Sequence, residues 1–397
     1  MFHLLLALIY ICFISLGLPD SLLGSAWPVM QETLTVPMSY AGIISIIMSV
    51  GTIVSSFFSD RMVRKFGPGK ITAVSIFLTA ISLFGFSVST RFWMLIFWAI
   101  PYGLGAGGVD SVLNNYVALH YKAQHMSWLH CFWGVGASIS PYIMSFALVK
   151  IENWNTGYLI VSVIQMVLCA FVFLSLPLWK NAESTPSDTD EISTDKPLKF
   201  KEILAIPGAV PCLLTFFGYC SLELSTSLWA SSYLVLNKGI SPEIASGFAS
   251  LFYIGITSGR GINGFLAMKF SDRFLIRTGF GIIISGILLI LLPLPSLFAL
   301  IGFIVIGLGC APIYPCIIHM TPDIFGRDKS QAMIGVQMAF AYIGFCISPP
   351  LFGLIAEHIT ISLLPFYLLT LLALMAGAHE IMVVRTKKKN SLNGWFS

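Results

Sequence analysis

Apolar residues run along this chain in stretches of roughly twenty, separated by short polar interruptions, and each stretch is long enough to cross a bilayer as a helix. The pattern predicts an all-α, polytopic membrane protein with twelve transmembrane helices. Their expected positions are about 3–30, 37–58, 70–89, 92–120, 127–149, 156–178, 208–236, 243–268, 278–294, 296–320, 331–356 and 362–383. The longest polar segment, KNAESTPSDTDEISTDKPLKFKE at 180–202, divides these spans six and six. It is rich in Ser, Thr, Asp and Lys and reads as a flexible tether, not a folded domain. The expected organisation is therefore a six-helix bundle over 1–179, a linker over 180–205, a second bundle over 206–384 and a tail over 385–397.

Charge orients the pattern. Of 22 Lys and Arg residues, 18 fall after even-numbered spans, in the linker or in the tail; only Arg91, Lys150 and Lys238 fall on the opposite face, and Arg260 lies inside a span. The positive-inside rule then puts both termini in the cytoplasm of a multi-pass protein of the cell membrane. Composition agrees, with 56% hydrophobic residues, 10% charged and a mean hydropathy of +0.86. The net charge of +4 says little about partners, and no nucleic-acid partner is expected. Eight cysteines lie in apolar runs without metal-ligand spacing, so neither a disulfide framework nor a metal site is expected. A removable signal peptide is not expected either, because no basic region precedes the first apolar run.

The two halves echo one another. GLGAGGVD (103–110) returns as GLGCAPIY (307–314), ISPYI (139–143) as ISPPL (347–351), and SDRMVR (59–64) as SDRFLIR (271–277). Asp20 in span 1 meets a counterpart near Glu223 in span 7. Four echoes in one order at an offset near 205 indicate an internal repeat, a signature of transporters that bind substrate at mid-membrane between their halves.

SDRMVRK also resembles the D-R-x-x-R-K loop motif of the major facilitator superfamily, with Ser56 and Val63 where that motif usually has glycines. Asp60, Arg61, Arg64, Asp272 and Arg273 are the residues it marks as gating or structural. GLPDSLLG, GLGAGGVDSVLNNYV, LHCFWGVGASISP, TSGRGINGFLA and GLGCAPIYPCIIHMTPDIFG together resemble the fucose–proton symporter-like branch. The resemblance implies two six-helix bundles related by a pseudo-two-fold axis, with spans 1, 4, 7 and 10 lining the cavity. It also implies acids on spans 1 and 4 for proton coupling and sugar binding, which match Asp20 and Asp110.

The mid-span ionisable residues are Asp20, Asp110, His130, Glu223 and Arg260. Such residues are functional hypotheses by default. Asp110 and Asn114 share a helix face, with Asn115 beside them, an arrangement suited to a polyol. An acid in a half-dry cavity favours its neutral form and can carry a proton. The bland alternative is that the two acids bond nearby N–H or hydroxyl groups. Glu223 reads as a second cavity acid that carries a proton or accepts a hydrogen bond from substrate, or as a carboxylate satisfied by the adjacent serines or by Arg260. Arg260 reads as a gating or structural cation that can snorkel to the interface. His130 reads as a relay member or a hydrogen bond between helices. Trp27, Trp133, Trp229 and Tyr314 are candidate sugar-stacking rings or packing residues, and Asn263 and Gln337 candidate hydrogen-bonding groups. Glycines 103, 105, 107 and 108 are expected to allow close helix packing.

No nucleotide loop, metal triad or nucleophile elbow appears, so an enzyme is not expected and no cofactor is implied. The resulting expectation is a monomeric secondary transporter moving a sugar or related polar solute by proton symport. The rivals are a proton-coupled exporter of drugs or metabolites, and a membrane receptor that does not transport.

Overall fold

The computed structural model describes residues 2–20, 22–37, 40–183, 198–240 and 242–393, so positions 184–197 of the expected linker and 394–397 of the tail lie outside the described residues. Among the described residues every regular element is helical. The helices are α1 (Phe2–Gly17), α2 (Leu22–Leu34), α3 (Tyr40–Phe66), α4 (Pro68–Ser87), α5 (Phe92–His120), α6 (Ala123–Lys150), α7 (Trp154–Leu174) and α8 (Leu176–Glu183). They continue as α9 (Phe200–Ala205), α10 (Ala209–Lys238), α11 (Pro242–Leu266), α12 (Asp272–Leu291), α13 (Ser296–Cys310), α14 (Ile313–Phe325), α15 (Arg327–His358) and α16 (Leu364–Asn393). Eleven helical stretches are long and apolar enough to cross a membrane. The 25-residue α11 stands where the remaining span was expected.

Several boundaries differ from expectation for local reasons. The motif residues Asp60–Lys65 continue α3 as helix, helped by a 2.9 Å pair between Asp60 and Arg64 one turn later. α12 begins at Asp272, with the Ser271 hydroxyl accepting from the Phe274 N–H and an acid in the first turn, both favourable at a helix start. α16 runs through Arg385 to Asn393, so the start of the expected tail is helical.

Two spans are interrupted. The first is split between α1 and α2, where Pro19 has no N–H for the carbonyl of Ser15. That carbonyl instead accepts from Gln165 Nε2 of α7 at 2.8 Å, so a side chain from another helix completes the ladder. The tenth span is split between α13 and α14, where Pro312 likewise removes a donor and Ala311 N–H turns back to Leu308 O at 3.3 Å. By contrast α10, the counterpart of the first span, is continuous through Glu223.

Cα-contact grouping separates two compact units, Met1–Tyr116 with Leu129–Pro197, and Val117–Trp128 with Leu198–Ser397. By this grouping the turn between α5 and α6 belongs with the second unit. There Asn263 Nδ2 donates to Ser127 Oγ at 2.7 Å, Arg327 donates to the Leu119 carbonyl at 2.9 Å, and Trp128 packs edge-on against Phe265. In the first unit the apolar interior gathers Leu22, Trp27, Phe86, Trp154 and Tyr158. Large apolar side chains such as Ile46, Phe58, Val163, Leu228 and Leu288 are exposed, as expected where lipid is the solvent.

Glycine sets how closely the helices cross. A methyl group on Gly103 of α5 would lie 2.2 Å from Met48 O of α3, and one on Gly107 would lie 2.5 Å from Thr52 O. The second unit repeats this seam, with Gly307 of α13 at 2.4 Å from Phe252 O of α11 by the same measure. α1 and α6 cross more tightly still, at Gly136 (2.0 Å to Ile14 O) and Gly17 (2.1 Å to Trp133 O). Since backbone cannot yield as a side chain can, Gly136→Ala is expected to cost about 1–3 kcal/mol as overpacking. Thermal unfolding in detergent checks this, and an unchanged midpoint would mean the crossing is looser than described.

Candidate functional site

In the first unit the break in span 1 places Asp20 on a turn rather than inside a helix, and its side chain is exposed. Its Oδ2 accepts from Trp133 Nε1 at 2.8 Å, so the α1–α6 glycine crossing fixes which indole reaches it. Asp110, on α5, is 8% exposed. One turn later Asn114 donates through Nδ2 to Asp110 Oδ1 at 2.8 Å and to the Asp110 carbonyl at 2.9 Å. The Oδ1 of Asn114 meets His130 Nε2 at 3.0 Å, and the His130 ring stands edge-on to Phe13. Among the described residues neither acid forms an ion pair.

The second unit is built differently. Glu223 on α10 faces Arg260 on α11, with Oε1 and Nη2 3.8 Å apart, and Arg260 Nη2 also donates to Tyr219 Oη at 3.5 Å. Arg260 is 4% exposed, so it does not snorkel as its position suggested. Burial among α10, α11 and Tyr219 holds the guanidinium inside the unit. Tyr219 in turn lies against Tyr314, whose hydroxyl points at Met338 Sδ. Of the serines offered as an alternative for Glu223, Ser225 pairs with Ser348 at 2.9 Å, and the buried Ser221 hydroxyl has no hydrogen-bond partner among the described residues. The first unit thus presents two acids without counter-ions, and the second a compensated pair.

The polar residues proposed to touch substrate divide into two groups. Asp20 is exposed and Trp133, Trp229 and Tyr314 are half-buried. Trp229 spends its N–H on the Pro349 carbonyl at 3.0 Å. Asn114, Asn263, Gln337 and Trp27 are buried, and Asn115 is nearly so. Asn263 joins Ser127 and Cys316, while Gln337 bonds Thr321 Oγ1 and Cys212 Sγ, both at 3.0 Å. Their polarity is used within the second unit.

The repeated motif diverges for a legible reason. SDRMVR places Arg64 four residues after Asp60, whereas SDRFLIR carries one more residue and puts Ile276 there. Asp272 therefore takes His319 Nδ1 of α14 at 2.7 Å, and the displaced Arg277 forms a bidentate pair with Glu380 of α16 at 2.8 and 2.6 Å. Arg61 lies over the Phe58 ring at 5.5 Å, and Arg273 is half-buried. His319 and Tyr219 were not singled out from sequence. Tyr219 had a signal, standing one turn before Glu223 on the same face. His319 had none beyond its place in the last quoted motif.

The family model described as Major Facilitator Superfamily matches residues 9–258 and 211–394, covering most of the chain. The chain belongs to the Major Facilitator Superfamily. Among relatives of this facilitator, the glucose/mannose transporter GlcP of Bacillus subtilis is 22% identical, over 97% of this chain and 96% of that protein. The quinolone resistance protein NorA of Staphylococcus aureus (strain MRSA252) is 24% identical, over 87% of each. Among solved structures, the major facilitator transporter FucP in its outward conformation superposes with a TM-score of 0.78 at 15% identity, over 95% of this chain and 98% of that one. FucP is described as the Escherichia coli fucose:proton symporter. The fold is thus the two-bundle major facilitator fold, and this facilitator is a polytopic membrane transporter.

Proposed function

We propose that this facilitator moves a sugar or a related small polar solute by alternating access, driven by proton symport. The observation that carries the reading is the pair of carboxylates, Asp20 and Asp110, held in one unit without a counter-ion. An uncompensated acid within a membrane span is costly, and protonation relieves that cost. Asp20 and Asp110 are the proposed proton carriers, and His130 is joined to Asp110 through Asn114. Glu223, first read as a further carrier, serves in this reading as the counter-ion of Arg260. With both acids protonated, the first unit presents no net charge to substrate at these positions, which suits a neutral polyol. Trp133 supplies the first unit with a half-buried ring suited to the apolar face of such a substrate, and the names of GlcP and FucP support a sugar.

In this reading both termini and the linker are cytoplasmic, the protein sits in the cell membrane, and it works as a monomer. The test is internal pH in proteoliposomes while hexoses, deoxyhexoses and disaccharides are added outside. Acidification with one sugar, absent in Asp20→Asn, is the expected result. The likeness to NorA favours a second reading, proton-coupled export of a drug or metabolite. Silence with every sugar, together with internal acidification when a cationic compound is loaded inside, would establish that one instead.

A further inference from the structure

Pro19 strands one acceptor in the first unit. In a continuous helix the N–H at position 19 would bond the carbonyl of Ser15; proline has no N–H and its ring pushes that carbonyl aside. Ser15 is 3% exposed, and a buried carbonyl without a donor carries a penalty. Gln165 of α7, 150 positions away, supplies the donor through Nε2 at 2.8 Å. Chemistry fixes which end of this amide faces Ser15, because only the NH2 donates and two oxygens would repel.

The other end of the amide shows what the residue is for. Gln165 is 2% exposed, and its Oε1 has no hydrogen-bond partner among the described residues. An apolar side chain of similar length would fill the same space without burying an unmatched oxygen. The polarity of Gln165 is therefore used at one atom, on the carbonyl that Pro19 strands.

That carbonyl lies just before the turn that carries Asp20. Leu18 N–H still bonds Ile14 O at 3.1 Å, but Asp20 N–H then bonds Gly17 O at 3.2 Å and Leu22 N–H bonds Pro19 O at 3.1 Å. The unwound turn is thus built on the backbone positions flanking Ser15. α1 is held there from two sides, by the glycine crossing with α6 at Gly17 and by Gln165 of α7. From this turn Asp20 Oδ2 reaches Trp133 Nε1 at 2.8 Å.

We propose that Gln165 is a positioning residue for Asp20: by capping the Ser15 carbonyl it fixes where α1 unwinds, and so holds the Asp20 carboxylate at the Trp133 indole. Gln165 neither carries the proton nor touches substrate. The proposal rests on the reading of Asp20 as a proton carrier.

The test starts from Gln165→Met, which keeps an unbranched side chain of similar length and removes the donor. In liposomes with nitrogen-15-labelled tryptophan, the Trp133 indole signal is assigned by its loss in Trp133→Phe. It is expected to leave its wild-type position in Gln165→Met, as is expected of Asp20→Asn. In the same vesicles proton-driven accumulation is expected to fall toward the level of Asp20→Asn, and by more than counterflow falls. An indole signal at its wild-type position, or accumulation and counterflow that fall in equal measure, would overturn the proposal. Pro19→Ala supplies the control, since it gives position 19 an N–H for Ser15 and leaves Gln165 without its task. The drop in unfolding midpoint caused by Gln165→Met is expected to shrink or vanish in Pro19→Ala. Should Gln165→Met not fold at all, Pro19→Ala is expected to restore folding. An equal drop in both backgrounds, or no restoration, would overturn the proposal too. If Asp20→Asn still accumulates substrate, the reading of Asp20 as a carrier fails; if it uncouples while Gln165→Met does not, only the positioning role fails.

Discussion

In Asp110→Asn, proton-driven accumulation is expected to collapse to equilibrium while exchange of substrate across the membrane continues. One elementary charge moved through 100 mV is worth about 2.3 kcal/mol. Since about 1.4 kcal/mol is a factor of ten, the wild-type facilitator should concentrate a neutral substrate roughly fifty-fold under that potential. Asparagine has nearly the shape of aspartate and keeps a hydrogen-bonding partner for Asn114, so the fold has little reason to change. What it loses is the titratable proton. The accumulation ratio should fall to about one, and counterflow of labelled substrate between equal pools should persist. A ratio that stays near the wild-type value would remove Asp110 from the coupling. Asp20→Asn is the companion test, and because Asp20 is exposed it carries the smaller structural risk.

The second large effect concerns stability. Glu223→Gln removes the carboxylate that faces the buried Arg260 and keeps the neutral Tyr219 hydroxyl at 3.5 Å. Removing one member of a buried ion pair costs about 3–5 kcal/mol, mostly because the remaining charge is stranded. Glu223→Gln is therefore expected to lower the unfolding midpoint in detergent substantially. Adding Arg260→Met should return most of the loss, since a buried pair replaced by well-packed apolar groups is often neutral or better. Non-additivity of the two substitutions is the decisive reading. If Arg260→Met made the Glu223→Gln protein worse, Arg260 would be held by something other than Glu223.

The fold was legible because a membrane span is a one-dimensional signal. Runs of apolar residues, basic loops and four internal echoes are all written along the chain and predicted the all-helical architecture, while the resemblance of motifs such as SDRMVRK pointed to the superfamily. The polar residues were harder for a physical reason. A buried amide is equally well explained by a ligand and by another side chain, and the second explanation lies elsewhere in the sequence. Asn263 finds Ser127 across 136 positions, and Gln337 finds Cys212 across 125. Nothing local distinguishes these from a substrate contact. The pairing of Glu223 with Arg260 was among the readings the sequence offered, and what it left out was Tyr219 as a further partner. The Asp272–His319 pair had a visible cause, the extra residue in SDRFLIR, but its consequence depends on where α14 passes. The break at Pro19 was masked by apolar residues on both sides of it, which kept the hydropathy of one long span.

That break also bears on how the protein enters the membrane. α1 has 16 residues and α2 has 13, each short of the roughly twenty needed to span hydrocarbon alone. Neither helix can cross alone, so the two enter the bilayer as one unit joined at Pro19, and the same unwound turn that exposes Asp20 in the finished transporter makes α1 dependent on α2 for insertion.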